Sequence, residues 1–279
     1  MIKYSFRVVL FVPFFTRHMM ASEEKLTGGN STTVSRVGDT VRREAGPWTK
    51  QVHALLAHLR AKGIQEVPAP LGFDQQGREI LTYIPGLVGH SPLPELRTDE
   101  VLIAAARLLR RIHDATADVA QLWRSGWQAP TREPIEIICH GDFAPYNCVF
   151  DQGKLIGVID FDHAHPGDRE WDLAYALYRF APIMAPSNPE SYGTTQEQCR
   201  RLRLFCDEYG LRERSQIVQT IQLRIASMAD SLRQGAANGD QRLQANIDQG
   251  HLEIYTTDDA YLDSHAAQFL NAVSQSRAP

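Results

Sequence analysis

Cysteine is scarce in this sequence, and no two cysteines stand in a Cys-x-x-Cys pair. The four that occur are Cys139, Cys148, Cys199 and Cys206. Such sparse cysteines indicate neither a disulfide scaffold nor a zinc ribbon, and they favour free thiols in a reducing cytoplasm. An excess of positive charge is lacking too, since 29 lysines and arginines stand against 33 aspartates and glutamates. The net charge of −4 therefore gives no support for nucleic acid as a partner.

Long apolar runs are also lacking. The apolar run at residues 8–15 contains Pro13 and falls far short of the roughly 20 residues that a membrane span needs. No small-residue cleavage site of the signal-peptide kind follows it, so we interpret residues 1–22 as an N-terminal extension outside the fold. We therefore expect a cytoplasmic protein without a membrane partner.

The remaining composition is that of a globular protein with one large domain or two lobes, since 43% of the 279 residues are hydrophobic and 22% are charged. In residues 28–84, pairs of short strand-like segments joined by turn residues predict two hairpins. The segments are 34–37 with 40–43, and 71–73 with 79–84. Between the pairs, one apolar helical face is predicted by residues spaced at i, i+3, i+4 and i+7. They are Val52, Leu55, Leu56 and Leu59.

A boundary follows this β-rich region, because Pro85 and Gly86 end the last strand and more prolines come next. The later part is predicted to be mostly helical, beginning with a helix capped by Thr98. Further helical patterns lie near 170–181, 196–209, 214–235 and 240–273. One β interruption is predicted at 135–139, 148–150 and 155–159. We therefore expect an α+β protein with an N-lobe at residues 23–85 and a C-lobe at residues 86–279.

Three polar side chains at the β interruption are candidates for catalysis and metal binding. A hairpin folded about residues 152–153 brings Asn147 and Asp160 to the same open end. An amide oxygen and a carboxylate are hard oxygen ligands, which suit Mg²⁺ better than zinc. Asp142 lies on the loop that enters this hairpin and can face the same space. One separate aspartate beside an Asn/Asp pair is the arrangement that phosphoryl transfer uses.

These residues form part of a longer pattern of three blocks. The blocks are His140-Gly141-Asp142 with Asn147, Ile159-Asp160-Phe161-Asp162, and Gly167-Asp168 with Asp172-Leu173-Ala174. In their order and spacing the sequence resembles the aminoglycoside phosphotransferase-like kinases, also called the phosphotransferase enzyme family. The resemblance implies a two-lobed, protein-kinase-like fold, with a small β-rich N-lobe containing one helix and a larger, mainly helical C-lobe.

The resemblance also implies roles for individual residues. Asp142 would be the catalytic aspartate, and His140 would be a supporting residue of its loop. Asn147 and Asp160 would hold Mg²⁺, and Asp162 could touch a second metal ion. The carboxylates of Asp168 and Asp172 would brace the loop.

On the nucleotide side, the resemblance implies that ATP or GTP binds the N-lobe. The turn at residues 28–32 resembles the segment that covers phosphate, with Asn30 and Ser31 beside it. The strand that includes residues 81–84 resembles the hinge whose backbone meets the purine. The hinge residues implied are Thr82, Tyr83 and Ile84.

Arg43 marks a departure from the family pattern, because kinases carry a lysine at the corresponding strand position and the two cations are not interchangeable. The kinase lysine pairs with a glutamate on the neighbouring helix. The helix predicted at residues 48–62 contains no Asp or Glu, and His53 is the nearest polar substitute. The departure casts doubt on how the two lobes are coupled and on catalytic strength.

The acceptor implied by the resemblance is a hydroxyl group of an aminoglycoside-like or other hydroxylated small molecule, with a role in antibiotic resistance. A polycationic aminoglycoside should be met by carboxylates. Residues 184–279 contain 12 acidic against 9 basic residues, which is too mild an excess to decide.

Two alternatives remain open. The sequence also resembles trifolitoxin-immunity-like sequences, which implies a kinase-fold binding or toxin-immunity protein with weak or no phosphotransfer. The other is a metal-dependent hydrolase that uses Asp160, Asp162, His163 and His165 as ligands. The simpler interpretation of the two histidines is that they are loop residues facing solvent.

Overall fold

The computed structural model describes residues 23–26, 33–88 and 93–275. Its N-terminal strands are β1 (Glu23–Leu26), β2 (Val34–Val37), β3 (Thr40–Arg43), β4 (Pro70–Phe73) and β5 (Glu79–Thr82). Within the described residues they form an antiparallel sheet in the order β1-β2-β3-β5-β4. The hairpin of β2 and β3 has the predicted bounds, whereas β5 ends two residues before the predicted strand does.

One helix, α1 (Thr49–Ala61), lies between β3 and β4 in the chain and packs against β4. Its predicted apolar face is buried. The buried residues that were expected there are Val52, Leu55, Leu56 and Leu59. This apolar stripe explains why the segment folds as a helix, since burial of one face stabilises a helix more than propensity does.

The C-terminal part is mainly helical, as predicted. Among the described residues its helices are α2 (Asp99–Thr116), α3 (Arg169–Phe180), α4 (Thr195–Tyr209), α5 (Ile217–Ala237), α6 (Gln241–Asp248) and α7 (His251–Ser274). The hydroxyl of Thr98 accepts a hydrogen bond from the N–H of Val101 at 3.3 Å, which caps α2 as expected. Helix α3 packs against α5, and α5 packs against α7. None of the described helices has the length and hydropathy to cross a membrane.

Among the described residues, five short strands accompany these helices. They are β6 (Leu87–Val88), β7 (Ile137–Cys139), β8 (Cys148–Asp151), β9 (Lys154–Val158) and β10 (His165–Gly167). Three of them, β7, β8 and β9, lie at the predicted β interruption. Strands β8 and β9 form the predicted hairpin about residues 152–153, and β6 pairs with β8. Strand β7 pairs with β10 in a second small sheet, so the chain before and after the hairpin is held at one place.

The segment predicted as one helix at 240–273 is two helices. Gly250 has φ +88°, a left-handed backbone that suits glycine, and it separates α6 from α7. The helical spacing of apolar residues continues on both sides, which is why the break is hidden in the pattern.

Candidate functional site

A buried carboxylate holds the loop that follows β7. Asp172, on α3, accepts hydrogen bonds from the backbone N–H groups of His140 and Gly141, each at 2.8 Å, and contacts His113 Nε2 at 2.9 Å. Burial alone would raise the pKa of Asp172, but the hydrogen bond from His113 and the neighbouring donors outweigh burial and hold that pKa below its usual range. The loop is therefore fixed by an ionised group, and His113 is a satisfied core histidine, not a ligand.

Gly141 allows this loop to approach the segment after β9. Its φ is +81°, and a Cβ at this position would lie 2.2 Å from the carbonyl oxygen of His163. Both facts require glycine, because other residues rarely adopt this backbone and a peptide carbonyl has little room to move. The His-Gly-Asp and Asp-Phe-Asp segments consequently pack backbone against backbone.

The carboxylate of Asp142 is held at both oxygens. The hydroxyl of Tyr146 donates to Oδ1 at 2.5 Å, and Nδ2 of Asn147 donates to Oδ2 at 2.8 Å. The Tyr146 hydroxyl also meets the hydroxyl of Tyr175 at 2.5 Å. Burial raises the pKa of Tyr146, and neighbouring Tyr175 and Asp142 raise it further, so the phenol keeps its proton. The sequence analysis assigned a role to neither tyrosine, although Tyr146 lies between Asp142 and Asn147 in the chain.

Asn147 and Asp160 lie at the open end of the hairpin, where the sequence places them. The N–H of Ile159 donates to the carbonyl of Asn147 at 2.8 Å, and the carbonyl of Ile159 contacts His140 Nε2 at 3.1 Å. Asp160 itself has φ +64°, an unusual value for a residue with a side chain, and strain of this kind is often found at functional sites. His140 is buried, which lowers the pKa of its ring and favours the neutral form.

Arg43 joins the N-terminal sheet to the Asp-Phe-Asp segment. It forms ion pairs with Asp160 at 3.2 Å and with Asp162 at 2.6 Å, and a third with Glu79. Burial alone would lower the pKa of Arg43, but the three carboxylates outweigh burial and raise it. The arginine therefore stays charged and links β3 to the end of the hairpin.

Glu79 is the acidic partner that the sequence of α1 does not contain. It lies on β5 directly opposite Arg43 in the sheet register, and its side chain is 2% exposed. Its second oxygen contacts His53 Nε2, on α1, at 2.9 Å. The acidic partner of Arg43 thus lies on a strand, and α1 contributes a histidine to the same cluster. The one sequence signal was a lone acidic residue at the start of an otherwise apolar strand.

The predicted hinge begins at Thr82, the last residue of β5, and continues through Tyr83 and Ile84. The hydroxyl of Thr82 accepts a hydrogen bond from the N–H of Ala69 at 2.8 Å, and the N–H of Tyr83 donates to the carbonyl of Asp39 at 2.9 Å. Within the described part of the chain, no hydrogen bond occupies the N–H or the C=O of Ile84. Asn30 and Ser31, the predicted phosphate contacts, lie outside the described residues.

The alternative metal cluster does not form. His163 is exposed but His165 is buried, with Nδ1 at 2.9 Å from the carbonyl of His163, so the interpretation of His165 as a solvent-facing residue is wrong. Burial lowers the pKa of the His165 ring. Across residues 23–26, 33–88 and 93–275, no three His, Cys, Asp or Glu side chains converge in a way that could hold a metal ion. The geometry therefore gives no support to a hydrolase using residues 160–165.

Comparison with known proteins agrees with the resemblance seen in the motifs. A profile of the phosphotransferase enzyme family matches residues 24–136 and 115–200. The trifolitoxin immunity protein of Rhizobium leguminosarum bv. trifolii is 36% identical over 200 residues, which cover 69% of this chain and 76% of that protein. An aminoglycoside 3'-phosphotransferase of Escherichia coli is 33% identical over 96 residues, which cover 33% of this chain and 35% of that enzyme.

Among solved structures, a choline/ethanolamine kinase family protein from Mesorhizobium loti has a similar fold. The similarity covers 94% of this chain and 95% of that one, with a TM-score of 0.61 and 17% sequence identity. The predicted protein-kinase-like fold, with a β-rich N-terminal part and a mainly helical C-terminal part, is confirmed.

Proposed function

Because this chain belongs to the phosphotransferase enzyme family, we propose that it is a kinase that transfers the γ-phosphoryl group of ATP or GTP to a hydroxyl group of a small molecule. The observation that carries the proposal is the set of contacts at the open end of the β8–β9 hairpin. There the side chain of Asn147 contacts Asp142, while its backbone contacts Ile159, the neighbour of Asp160. These contacts support one site that serves both the nucleotide phosphates and the acceptor.

Asp142 is the group that orients the acceptor hydroxyl and accepts its proton. The acceptor oxygen forms a bond to the γ-phosphorus as the bond to the β–γ bridging oxygen breaks, and the nucleoside diphosphate leaves with that oxygen. Tyr146 and Asn147 fix the direction of the Asp142 carboxylate before the acceptor arrives. A base held in place in this way loses little entropy when the reaction begins. His140 supports the loop from behind.

Mg²⁺ fits the oxygen donors beside Asp142. Asn147 uses its NH₂ group on Asp142, and within the described residues nothing donates to its amide oxygen, which leaves that oxygen for a cation. Asp160 and Asp162 would supply carboxylates, and a bound cation would neutralise charge on the phosphates. Because Arg43 pairs with both aspartates here, we expect it to turn toward the phosphates when nucleotide and cation bind.

The nucleotide would lie between the N-lobe, residues 23–85, and the C-lobe, residues 86–279. Thr82, Tyr83 and Ile84 form the proposed hinge, and the unoccupied peptide groups of Ile84 support contact with a purine edge. Asn30 and Ser31 would cover the phosphates by analogy with the family.

A second candidate function is toxin immunity without phosphotransfer. It is favoured by the similarity to the trifolitoxin immunity protein, which extends over 69% of this chain. In that case the kinase fold would act by binding alone. The two candidates differ in whether protection needs the Asp142 carboxylate.

The decisive experiment measures nucleotide binding by calorimetry and product formation across aminoglycosides, macrolides, choline-like alcohols and sugars, with ATP and with GTP. We expect Asp160→Ala to abolish Mg²⁺-dependent nucleotide binding. Asp142→Asn should retain binding and lower turnover by about 100-fold or more. The control is Asp151→Asn, an equivalent change at the exposed end of β8.

Turnover by Asp142→Asn close to that of the wild-type protein would contradict the assigned role. Protection of cells against a toxin that survives Asp142→Asn, in a protein that transfers no phosphate, would favour the immunity function.

A further inference from the structure

An arginine of α5 lies against the loop that carries Asp142. Nη2 of Arg224 donates to the carbonyl of Gly141 at 2.8 Å, one residue before the proposed catalytic aspartate. Its guanidinium lies 4.8 Å from the ring centre of Tyr175 and 5.2 Å from that of Trp171. The cation is therefore placed between aromatic faces, at the side of the loop that borders the C-terminal helices.

The charge of Arg224 has no carboxylate partner among the described residues. In the described part of the chain, no Asp or Glu forms an ion pair with it. Two other arginines lie against aromatic rings nearby, and both have an acidic partner. Arg132 lies 3.7 Å from the ring centre of Trp171 and pairs with Asp168 at 3.4 Å, and Arg179 lies 5.0 Å from that of Tyr146 and pairs with Glu190 at 2.6 Å. A guanidinium has five N–H donors, and Arg224 uses one on Gly141. Donors remain for a ligand.

Helix α7 borders the same space. Burial raises the pKa of Tyr255, the positive charges of Arg179 and Arg224 lower it, and the carboxylates of Asp142 and Glu190 raise it further. Tyr255 thus lies within electrostatic reach of the proposed base and of both arginines. Since Arg179 is paired with Glu190, Arg224 is the cation on this side of Asp142 without a described carboxylate partner, which is a poor match for a polycationic acceptor.

We propose that Arg224 binds a carboxylate of the acceptor, so that the substrate is a hydroxylated small molecule carrying that anionic group. The inference rests on the proposed kinase function. A planar carboxylate can accept two parallel N–H donors from a guanidinium, which fixes both the position and the orientation of the molecule. Contact at Gly141 places the bound group beside Asp142, where a hydroxyl of the same molecule would meet the base.

The experiment compares acceptors that differ only in the carboxylate. D-glucuronate is paired with D-glucose and glycerate with glycerol, and kanamycin is the polycationic probe. Diphosphate formation with Mg²⁺ and ATP or GTP gives KM and kcat, and tryptophan fluorescence, to which Trp171 contributes, gives affinity without turnover. The variants are Arg224→Gln, Arg224→Lys and the control Arg233→Gln, an exposed arginine of α5 paired with Asp230.

We expect saturation by the carboxylate probes and binding at least about tenfold weaker for the neutral and cationic ones. Arg224→Gln should weaken carboxylate binding by about 10- to 100-fold while the KM for nucleotide stays within about twofold. Arg224→Lys, which keeps the charge and one donor to Gly141, should fall between wild type and Arg224→Gln. Arg233→Gln should match the wild type. If Arg224→Gln does not fold, the lysine variant carries the comparison.

Equal carboxylate affinity in wild type and Arg224 variants would overturn the proposal. Preference for kanamycin, or no saturation by any carboxylate probe, would overturn it as well. A loss of kcat alone would reduce Arg224 to a support of the loop. These failures differ from failure of the kinase function itself, in which wild-type protein would not bind Mg²⁺ and nucleotide in the absence of any acceptor.

Discussion

Substitution of Glu79 by glutamine tests whether this acid on β5 supports Arg43 in the way that a glutamate on the helix supports the lysine of kinases. The change removes a buried charge that contacts Arg43 and His53. Hydrogen bonds between charged groups contribute roughly 1.5–3 kcal/mol each, and glutamine keeps one acceptor oxygen, so about 2 kcal/mol of folding free energy should be lost. The full cost of an unpaired buried charge does not apply, because Arg43 retains Asp160 and Asp162.

The assay pairs a thermal melt with nucleotide kinetics. A loss of about 2 kcal/mol corresponds to a fall in Tm of roughly 4 °C for a chain of this size. Arg43 would also lose the restraint that directs it toward the phosphates, so kcat/KM for nucleotide should fall by about 10- to 100-fold, or roughly 1.4–2.7 kcal/mol. The matched control is Glu197→Gln, which breaks a half-exposed ion pair with Arg200 and should change stability by no more than about 0.5 kcal/mol. A Glu79→Gln protein with wild-type Tm and kinetics would refute the reasoning.

Two further predictions concern the loop itself. Asp172→Asn should lower stability by about 3 kcal/mol at pH 7, because it removes the charge from a buried network. The folded-state pKa of Asp172 is depressed, so its contribution to stability is present above its unfolded pKa of about 3.9 and is lost as pH falls. The stability difference between wild type and variant, measured by denaturant unfolding, should therefore shrink below about pH 4. A difference independent of pH would count against an ionised Asp172. Gly141→Ala should abolish most turnover and cost at least about 2 kcal/mol, since it adds a clash with the His163 carbonyl to the strain of a positive φ. Gly153→Ala, at φ +75° with open space around the added Cβ, tests the backbone strain without the clash. An equal loss of stability in both variants would show that the clash with the His163 carbonyl contributes nothing.

Local patterns predicted what lies close together in the chain. The β8–β9 hairpin follows from turn residues between two apolar segments, and it alone brings Asn147 and Asp160 to one end. Helix α1 follows from its apolar spacing in the same way. The two closely spaced helices at the C-terminus were joined in the prediction because the apolar spacing continues across Gly250. A spacing of apolar residues with a period of about 3.6 indicates which helix face is buried, but it does not reveal a single residue with a left-handed backbone.

Contacts between distant segments were beyond such patterns. Arg43 and Glu79 lie 36 residues apart, and their pairing requires β5 to insert between β3 and β4. The bond from Arg224 to Gly141 spans 83 residues and depends on how α5 packs against α3. No local spacing encodes these adjacencies, because sheet order and helix packing are decided by the whole core. Arg43 was therefore visible in the sequence as a departure from the family pattern, whereas its pairing with Glu79 and the contact of Arg224 were not.

The relocated acid changes how α1 would be coupled to the site. In a lysine–glutamate pair carried by a strand and a helix, a movement of the helix breaks the pair directly. Here both Arg43 and Glu79 lie in the sheet, so their ion pair survives such a movement, and α1 contacts that pair through His53. Arg43 in turn reaches across to Asp160 and Asp162. The Arg43–Glu79 pair should therefore depend little on the position of α1. His53→Ala should reduce nucleotide turnover far less than Glu79→Gln.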